Sequence, residues 1–452
     1  MTIPFIGMYL IQKRFGLVLG YASLIIFWLS FEYLHLTWQI RWPWLNIGNL
    51  FAAHTSLVQW YEYTGISGGT LWVLVSNVTI SLLISHIYAL GNRTMKTVLT
   101  TPYALALSIS IVLVIFIPIG VSQKIIDKDA PNKNNSRAQY CNVLIIQPAR
   151  QANDEYIYSK ETLISNIVLF TEKNIDTTTQ LVLWPENTLD LFINQETISI
   201  NNGYQSVFQL LNRHPLISLS SGILCKKNYD RSSKTRTATK SLLGNYYDLY
   251  NGLIVLHAAT TPSFYYKNKL VPGVETLPQS LGFLEPIFYK FGIAAGRFSK
   301  GTTTTAFVIP QSSCIVAPLI CYESIYGEYA AAFITQGANL LTVSTNDNWF
   351  ERTNEKEEHF NFSKLRAIET RRYIVQCANT GITGIVNQYG TTVAQLNSST
   401  EGMLKYSVPL LTQTTFYVTH GDFIYKISAW LIILFIILVL ISYLNIISKR
   451  FA

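Results

Sequence analysis

The sequence predicts an α/β domain joined to a bundle of membrane-crossing helices. Composition is the first indication: only 13% of the 452 residues are charged and 49% are hydrophobic, an imbalance that calls for lipid-facing surface. Distribution is the second. Residues 15–31, 71–91, 101–121 and 427–447 contain no Asp, Glu, Lys or Arg, whereas residues 140–412 alternate short apolar runs with amphipathic ones. About 20 consecutive apolar residues form a helix that spans a bilayer with its backbone polar groups paired internally.

These stretches place spans near 15–36 (counting past Glu32), 71–91, 101–121 and 425–447. The expected organisation is a transmembrane region at 1–121, a polar linker at 122–139, the α/β domain at 140–412, and a last helix with a short basic tail at 413–452. The segment after Lys13 and Arg14 is too long for a cleaved leader and lacks a small-residue cleavage site. The basic clusters Lys13/Arg14, Arg93/Lys96 and Lys449/Arg450 fall on one side of this arrangement, which the positive-inside rule makes cytoplasmic. The α/β domain is then outside. Lys124, Lys128, Lys133 and Arg137 pull the other way, but Asp127 and Asp129 sit among them and a long translocated domain dilutes their effect. Trp42, Trp44, Trp60, Tyr61 and Tyr63, between the first two spans, suit anchoring at the headgroup level or lining an entry to a site.

The net charge of +8 is spread along the chain, with no basic helix and no aromatic–basic interleaving, so nucleic acid is not an expected partner. The five cysteines form no CxxC pair and the seven histidines no HExxH, so neither a disulfide framework, a metal site nor a cofactor is indicated.

Within the domain, strands are expected at 142–146, 181–184, 217–224, 253–258, 307–309, 315–320, 339–343, 384–387 and 403–408. Helices are expected at 159–173, 204–212, 323–335 and 357–371. This alternation indicates a layered α/β architecture.

Three residues in it suit acyl-transfer chemistry. Cys321, in LICYES, follows an apolar strand and precedes a helical stretch. Amides at such a corner favour the reactive thiolate, and the N–H of Tyr322 is placed to receive an oxyanion. Glu186, in LVLWPEN, ends a buried strand. A partly desolvated carboxylate holds a proton more readily, which suits a base that takes a thiol proton and returns it to a leaving group. Lys267, in YYKNKLVPGVE, is flanked by Tyr265 and Tyr266 and can offer an ammonium to a tetrahedral oxyanion; Lys269 competes for that role. Taken singly, Cys321 reads better as a structural cysteine and Lys267 as a solvated lysine, while Glu186 reads equally well as an ordinary strand-end carboxylate.

In this order within one α/β domain, WPEN, YxKxxL and CYE resemble the motif neighbourhoods of the nitrilase (carbon–nitrogen hydrolase) superfamily. Within it the chain resembles the apolipoprotein N-acyltransferases, through LVPGVETLP, CYESIYGEY, STNDNWF, RAIETRRY and NTGITG, and through FEYL and WPWLNIGN in the apolar part. The resemblance implies a nitrilase-like four-layer αββα sandwich attached to transmembrane helices. It implies a thioester on Cys321, with Glu186 as base, Lys267 as oxyanion partner, Glu275 orienting Lys267, and Tyr322 and Glu323 flanking the nucleophile. The implied acyl donor is a phospholipid such as phosphatidylethanolamine. The implied acceptor is the α-amine of a diacylglyceryl-cysteine apolipoprotein, and the implied setting is a bacterial inner membrane with the catalytic domain on the periplasmic side. The family's first few spans have no counterpart here, and an expected tryptophan before the first domain helix is missing, with Tyr156 nearby. The apolar stretch 277–291 reads either as a lipid gate or as domain core. A membrane-tethered amidase using the same triad, or an inactive scaffold, fits the same residues.

Overall fold

The computed structural model describes residues 2–90, 101–129, 139–151, 154–229, 235, 237–242, 244–277, 279–284, 287, 298–348, 354–398 and 400–451. The chain divides into two compact units, Met1–Lys133 with His420–Ala452, and Asn134–Thr419.

The first unit is helical. α1 (Thr2–Phe15) packs on α2 (Leu17–Thr37), with the Phe5 ring edge-on to Trp28 at 5.8 Å. α3 (Tyr61–Ala89) is interrupted at Gly65, whose φ of 60° and ψ of −165° are not helical. α4 (Pro102–Asp129) continues through Lys124 and Lys128, so the helix takes up the start of the expected linker; residues 130–138 lie outside the described residues. Among the described residues, four helices are long and apolar enough to cross a membrane: Leu17–Thr37, Tyr61–Ala89, Pro102–Lys128 and Phe423–Ile441. The last belongs to the helix Phe423–Phe451.

Glu32 ties this unit together. It is 4% exposed, and its Oε1 accepts hydrogen bonds from Trp28 Nε1 (3.1 Å) and the Ile47 amide (2.8 Å). Its Oε2 accepts from Thr70 Oγ1 and Tyr425 Oη, both at 2.7 Å. A cavity of about 270 Å³ lies beside it, walled by Trp28, Phe31 and Trp42.

The second unit begins with β1 (Gln139–Gln147) and α5 (Lys160–Asn174), which Ser159 caps by accepting from the Thr162 amide. β2 (Leu181–Leu183), β3 (Leu189–Asn194), α6 (Gln205–Arg213), β4 (Ser218–Tyr229), β5 (Thr239–Lys240), β6 (Tyr246–His257) and β7 (Ser263–Tyr266) follow. Next come β8 (Phe307–Val308), β9 (Ile315–Ile320), α7 (Gly327–Ile334), β10 (Leu340–Thr345), α8 (Glu355–Thr370), β11 (Ile374–Ala378), β12 (Gly384–Val386), β13 (Thr392–Gln395) and β14 (Gly402–Leu410). The strands form two sheets, ordered β14-β1-β2-β4-β6-β5, with β3 on β4 and β7 on β6, and β13-β12-β11-β10-β9-β8.

Strand periodicity sets the layers. On β1, Val143 and Ile145 join Leu181, Leu183, Val316, Val375 and Cys377 in a core between the two sheets. The alternate residues Leu144 and Ile146 face Ile164, Ile167 and Leu210 of α5 and α6. On the second sheet, Leu319, Leu341 and Val343 pack against Ala330, Phe333, Phe360 and Ala367 of α7 and α8. This is the expected αββα sandwich. The helix anticipated over 323–335 is instead a 3₁₀ turn, Cys321–Ile325, followed by α7, with Tyr326 in extended conformation between them. Of the apolar stretch 277–291, residues 278, 285–286 and 288–291 lie outside the described residues; Phe283 and Ile287 are exposed.

Candidate active site

The second unit brings together the chain's sequence-predicted site residues. Glu186 follows β2 and Cys321 follows β9, each at the C-terminal end of a strand in a parallel ladder. Lys267 follows β7. Gly222 on β4 permits the first placement: a Cβ there would lie 2.5 Å from Glu186 Cα, Pro185 O and the Asn187 amide, so only glycine lets β4 pass under the WPEN turn.

Lys267 is 1% exposed, and its Nζ lies 3.0 Å from Glu186 Oε1 and 2.9 Å from Glu275 Oε1. Asn251 Nδ2, from β6, bridges the same two oxygens at 2.8 Å each. Glu275 Oε2 accepts from the Val271 amide (2.8 Å), and Glu186 Oε2 from the Asn346 amide (3.1 Å). Burial pulls the Lys267 ammonium toward neutrality, but the two carboxylates outweigh it and hold its pKa well above the ordinary lysine value.

Cys321 is partly exposed, whereas the other four cysteines are buried. Its φ of 46° is left-handed. The reading that neighbouring amides favour the thiolate is corrected here. Burial pushes the thiol pKa well above its ordinary value, Glu186 adds to the push, and Lys267 opposes it. These influences favour the neutral thiol at Cys321. Cys321 opens a single 3₁₀ turn, and the charges of Glu186, Lys267 and Asp347 act on it from other parts of the unit.

Glu323, fully buried, accepts from the Ile320 amide (2.9 Å), Tyr265 Oη (2.7 Å) and the Asn268 and Lys269 amides (2.6 and 3.1 Å). It thereby fixes the segment after Lys267 against the Cys321 turn. Lys269 projects over the Tyr326 ring, 4.9 Å from its centroid, and is not the lysine that meets the carboxylates. Tyr322 is 4% exposed and packs edge-on against Tyr326 at 5.5 Å.

Sequence reading did not find Asn251, Asp347 or His359. His359 Nδ1 is 3.1 Å from Asp347 Oδ1, and its Nε2 is 3.1 Å from the Cys321 carbonyl oxygen and 3.0 Å from Ser324 Oγ. Asp347 lies in STNDNWF, the one signal that could have pointed to it.

Residues 145–415 match the family described as Carbon-nitrogen hydrolase. This chain belongs to that family. Its residues 1–79 match a second description, Apolipoprotein N-acyltransferase N-terminal domain. Among curated relatives, the apolipoprotein N-acyltransferase of Chlorobaculum tepidum is 26% identical over 434 residues, which cover 94% of this chain and 77% of that protein. The Thermotoga maritima enzyme of the same name is 35% identical over 195 residues, 43% of this chain and 37% of that protein. The enzyme of that name from Pseudomonas aeruginosa strain PAO1 is 32% identical over 171 residues, 38% of this chain and 32% of that protein. The carbon–nitrogen hydrolase match spans the two sheets and includes Glu186, Lys267 and Cys321.

Proposed function

We propose that this chain is an apolipoprotein N-acyltransferase. In this reading it moves an acyl chain from a phospholipid, such as phosphatidylethanolamine, to the α-amine of a diacylglyceryl-cysteine apolipoprotein. The observation that carries the reading is one carbon–nitrogen hydrolase unit with Glu186, Lys267 and Cys321 gathered in it, in a chain whose described residues also include four helices long and apolar enough to cross a membrane.

In the first step Glu186 takes the Cys321 proton as sulfur attacks the ester carbonyl carbon. Two of the three Lys267 N–H bonds are directed at Glu186 and Glu275, which leaves the third for the oxyanion. Collapse expels the glycerol oxygen, which takes the proton from Glu186, and leaves a thioester on Cys321. In the second step the acceptor amine attacks that thioester, loses a proton to Glu186 and forms the amide; the departing sulfur recovers the proton. Glu275 and Glu323 act as positioning residues, the former on Lys267 and the latter on the segment joining Lys267 to the nucleophile turn. A bacterial inner membrane with this unit on the periplasmic side is the setting that fits these substrates.

The test is intact-mass measurement after incubation with phosphatidylethanolamine in detergent. An added acyl mass on the wild type but not on Cys321→Ala, discharged by a diacylglyceryl peptide with a free amine, is the expected result. Release of free fatty acid at the same rate with or without the peptide would instead make the chain a hydrolase.

A further inference from the structure

The Cys321 turn has a support that the Glu–Lys–Cys group does not provide. β9 pairs with β10 only as far as Ile320, opposite Ser344, so the Cys321 carbonyl has no place in the ladder. The left-handed φ at Cys321 is a conformation that a residue bearing a side chain adopts at a cost, and it persists only where surrounding contacts impose it. The contacts here come from Ser324 Oγ, which donates to the Cys321 carbonyl at 2.8 Å, and from His359 Nε2 at 3.1 Å. His359 is 1% exposed on α8. Asp347, after β10, is fully buried; its Oδ1 also accepts from Thr345 Oγ1 at 2.7 Å, while its Oδ2 has no hydrogen-bond partner among the described residues. Gly381 leaves room for that carboxylate, since a Cβ there would meet Oδ2 at 2.0 Å.

A cysteine sulfur, a carboxylate oxygen and an imidazole nitrogen within 4.8 Å of one another could hold a soft cation. The hydrogen bonds oppose that use. Nδ1 faces a carboxylate oxygen, and Nε2 lies within hydrogen-bond reach of the Cys321 carbonyl and Ser324 Oγ, so both ring nitrogens are engaged by protein partners rather than turned toward an ion. The electrostatics agree: burial works against charging His359, yet Asp347 outweighs it and holds the ring's pKa above the ordinary histidine value.

We propose that Asp347 and His359 are a positioning pair that holds Cys321 in the backbone conformation from which its thiol attacks. The inference rests on Cys321 being the nucleophile of the proposed transfer. Asp347 orients the ring, the ring fixes the Cys321 carbonyl, and the carbonyl fixes the direction of the side chain.

The test reads Cys321 in two ways: acylation by phosphatidylethanolamine, and alkylation by iodoacetamide located by peptide mapping, which needs no acyl-transfer activity. His359→Ala and His359→Asn are expected to slow both by about tenfold to a hundredfold, the scale of a nucleophile misplaced by a fraction of an ångström to one ångström. His359→Gln, whose amide reaches the Nε2 position, is expected to keep both within about threefold of wild type. Ser363→Ala, on the same helix, removes a buried hydrogen bond to Gln376 outside this chain of contacts; it is expected to lower thermal stability and leave both rates unchanged. Wild-type rates in His359→Ala, or equal losses in His359→Gln and Ser363→Ala, would overturn the proposal by making His359 merely part of the packing. If the wild type alkylates with this variant pattern but takes up no acyl chain, the acyl-transfer reading fails and the positioning pair stands.

Discussion

Two buried glutamate sites, one in each unit, solve the same problem in opposite ways. Glu32 has no lysine or arginine partner among the described residues; four donors, two on each oxygen, fill the roughly four acceptor positions a carboxylate offers. Those donors come from α2, the loop after it, α3 and the last helix, so the carboxylate acts as a fixed joint. Glu186 and Glu275 share the Lys267 cation and the Asn251 amide, and each accepts three hydrogen bonds among the described residues. Glu186 Oε2, with a single backbone donor, keeps capacity for one more hydrogen. A saturated carboxylate holds a structure together, whereas one with a spare position beside a shared cation can accept and return a proton.

The comparison can be broken most forcefully at its cation. Lys267→Met leaves two carboxylates buried against each other; an expected loss of about 3–5 kcal/mol in chemical or thermal unfolding follows the behaviour of buried pairs stripped of one partner. Acylation of Cys321 should vanish with it. Next in size, Glu186→Gln keeps the volume and removes the proposed base, and a fall of about 10²–10⁴-fold in thioester formation is expected by single-turnover intact mass. Glu32→Gln sharpens the contrast from the other side. It sets amide hydrogens against existing donors and should cost about 1–3 kcal/mol of stability, yet acylation per folded molecule should stay within about twofold of wild type. If Glu32→Gln abolished acylation in folded protein, the division into joint and proton exchanger would fail.

The smallest effect belongs to a solvent-exposed pair, Asp176 and Lys405 at 2.7 Å, which serves as the reference without burial. The Lys405 ammonium holds the Asp176 carboxyl below its ordinary value. The stabilisation is therefore fully present above the unfolded carboxylate's pKa of 3.8 and is lost as pH falls through the lower folded value. With both side chains more than a third exposed, Asp176→Asn should change stability at neutral pH by less than about 1 kcal/mol.

What the sequence revealed of the site follows from how each residue is embedded. Glu186 and Cys321 are legible because each ends an apolar run, and a strand terminus is where a side chain leaves the sheet. Lys267 is legible through its tyrosines, of which Tyr265 is buried and hydrogen-bonded to Glu323. Asn251 is, like Asp248, a polar residue inside β6, and its meeting with Glu186 after β2 and Glu275 after β7 depends on connections that local pattern does not specify. His359 sits in EKEEHF, which reads as a solvated helical face, yet α8 buries His359 and also the Arg366–Glu369 pair, both fully inaccessible. The charge density of a helix says little about which of its polar residues go inside. The state of the thiol was hidden for a related reason: Glu186 and Asp347 reach Cys321 from other strands, across separations no window spans.

The pairing of β1 with β14, from Gln139 opposite Leu410 to Gln147 opposite Gly402, also orders events in time. During synthesis β1 is the first strand of its sheet to be made, and its outer partner is the last. Until residue 410 is available, one edge of β1 stays open, a row of unpaired amides and carbonyls able to recruit another chain. Contacts between such distant residues form slowly, so shielding of that edge falls to whatever attends the nascent chain. A product halted after β13 would carry Glu186, Lys267 and Cys321 and still be the form most prone to aggregate.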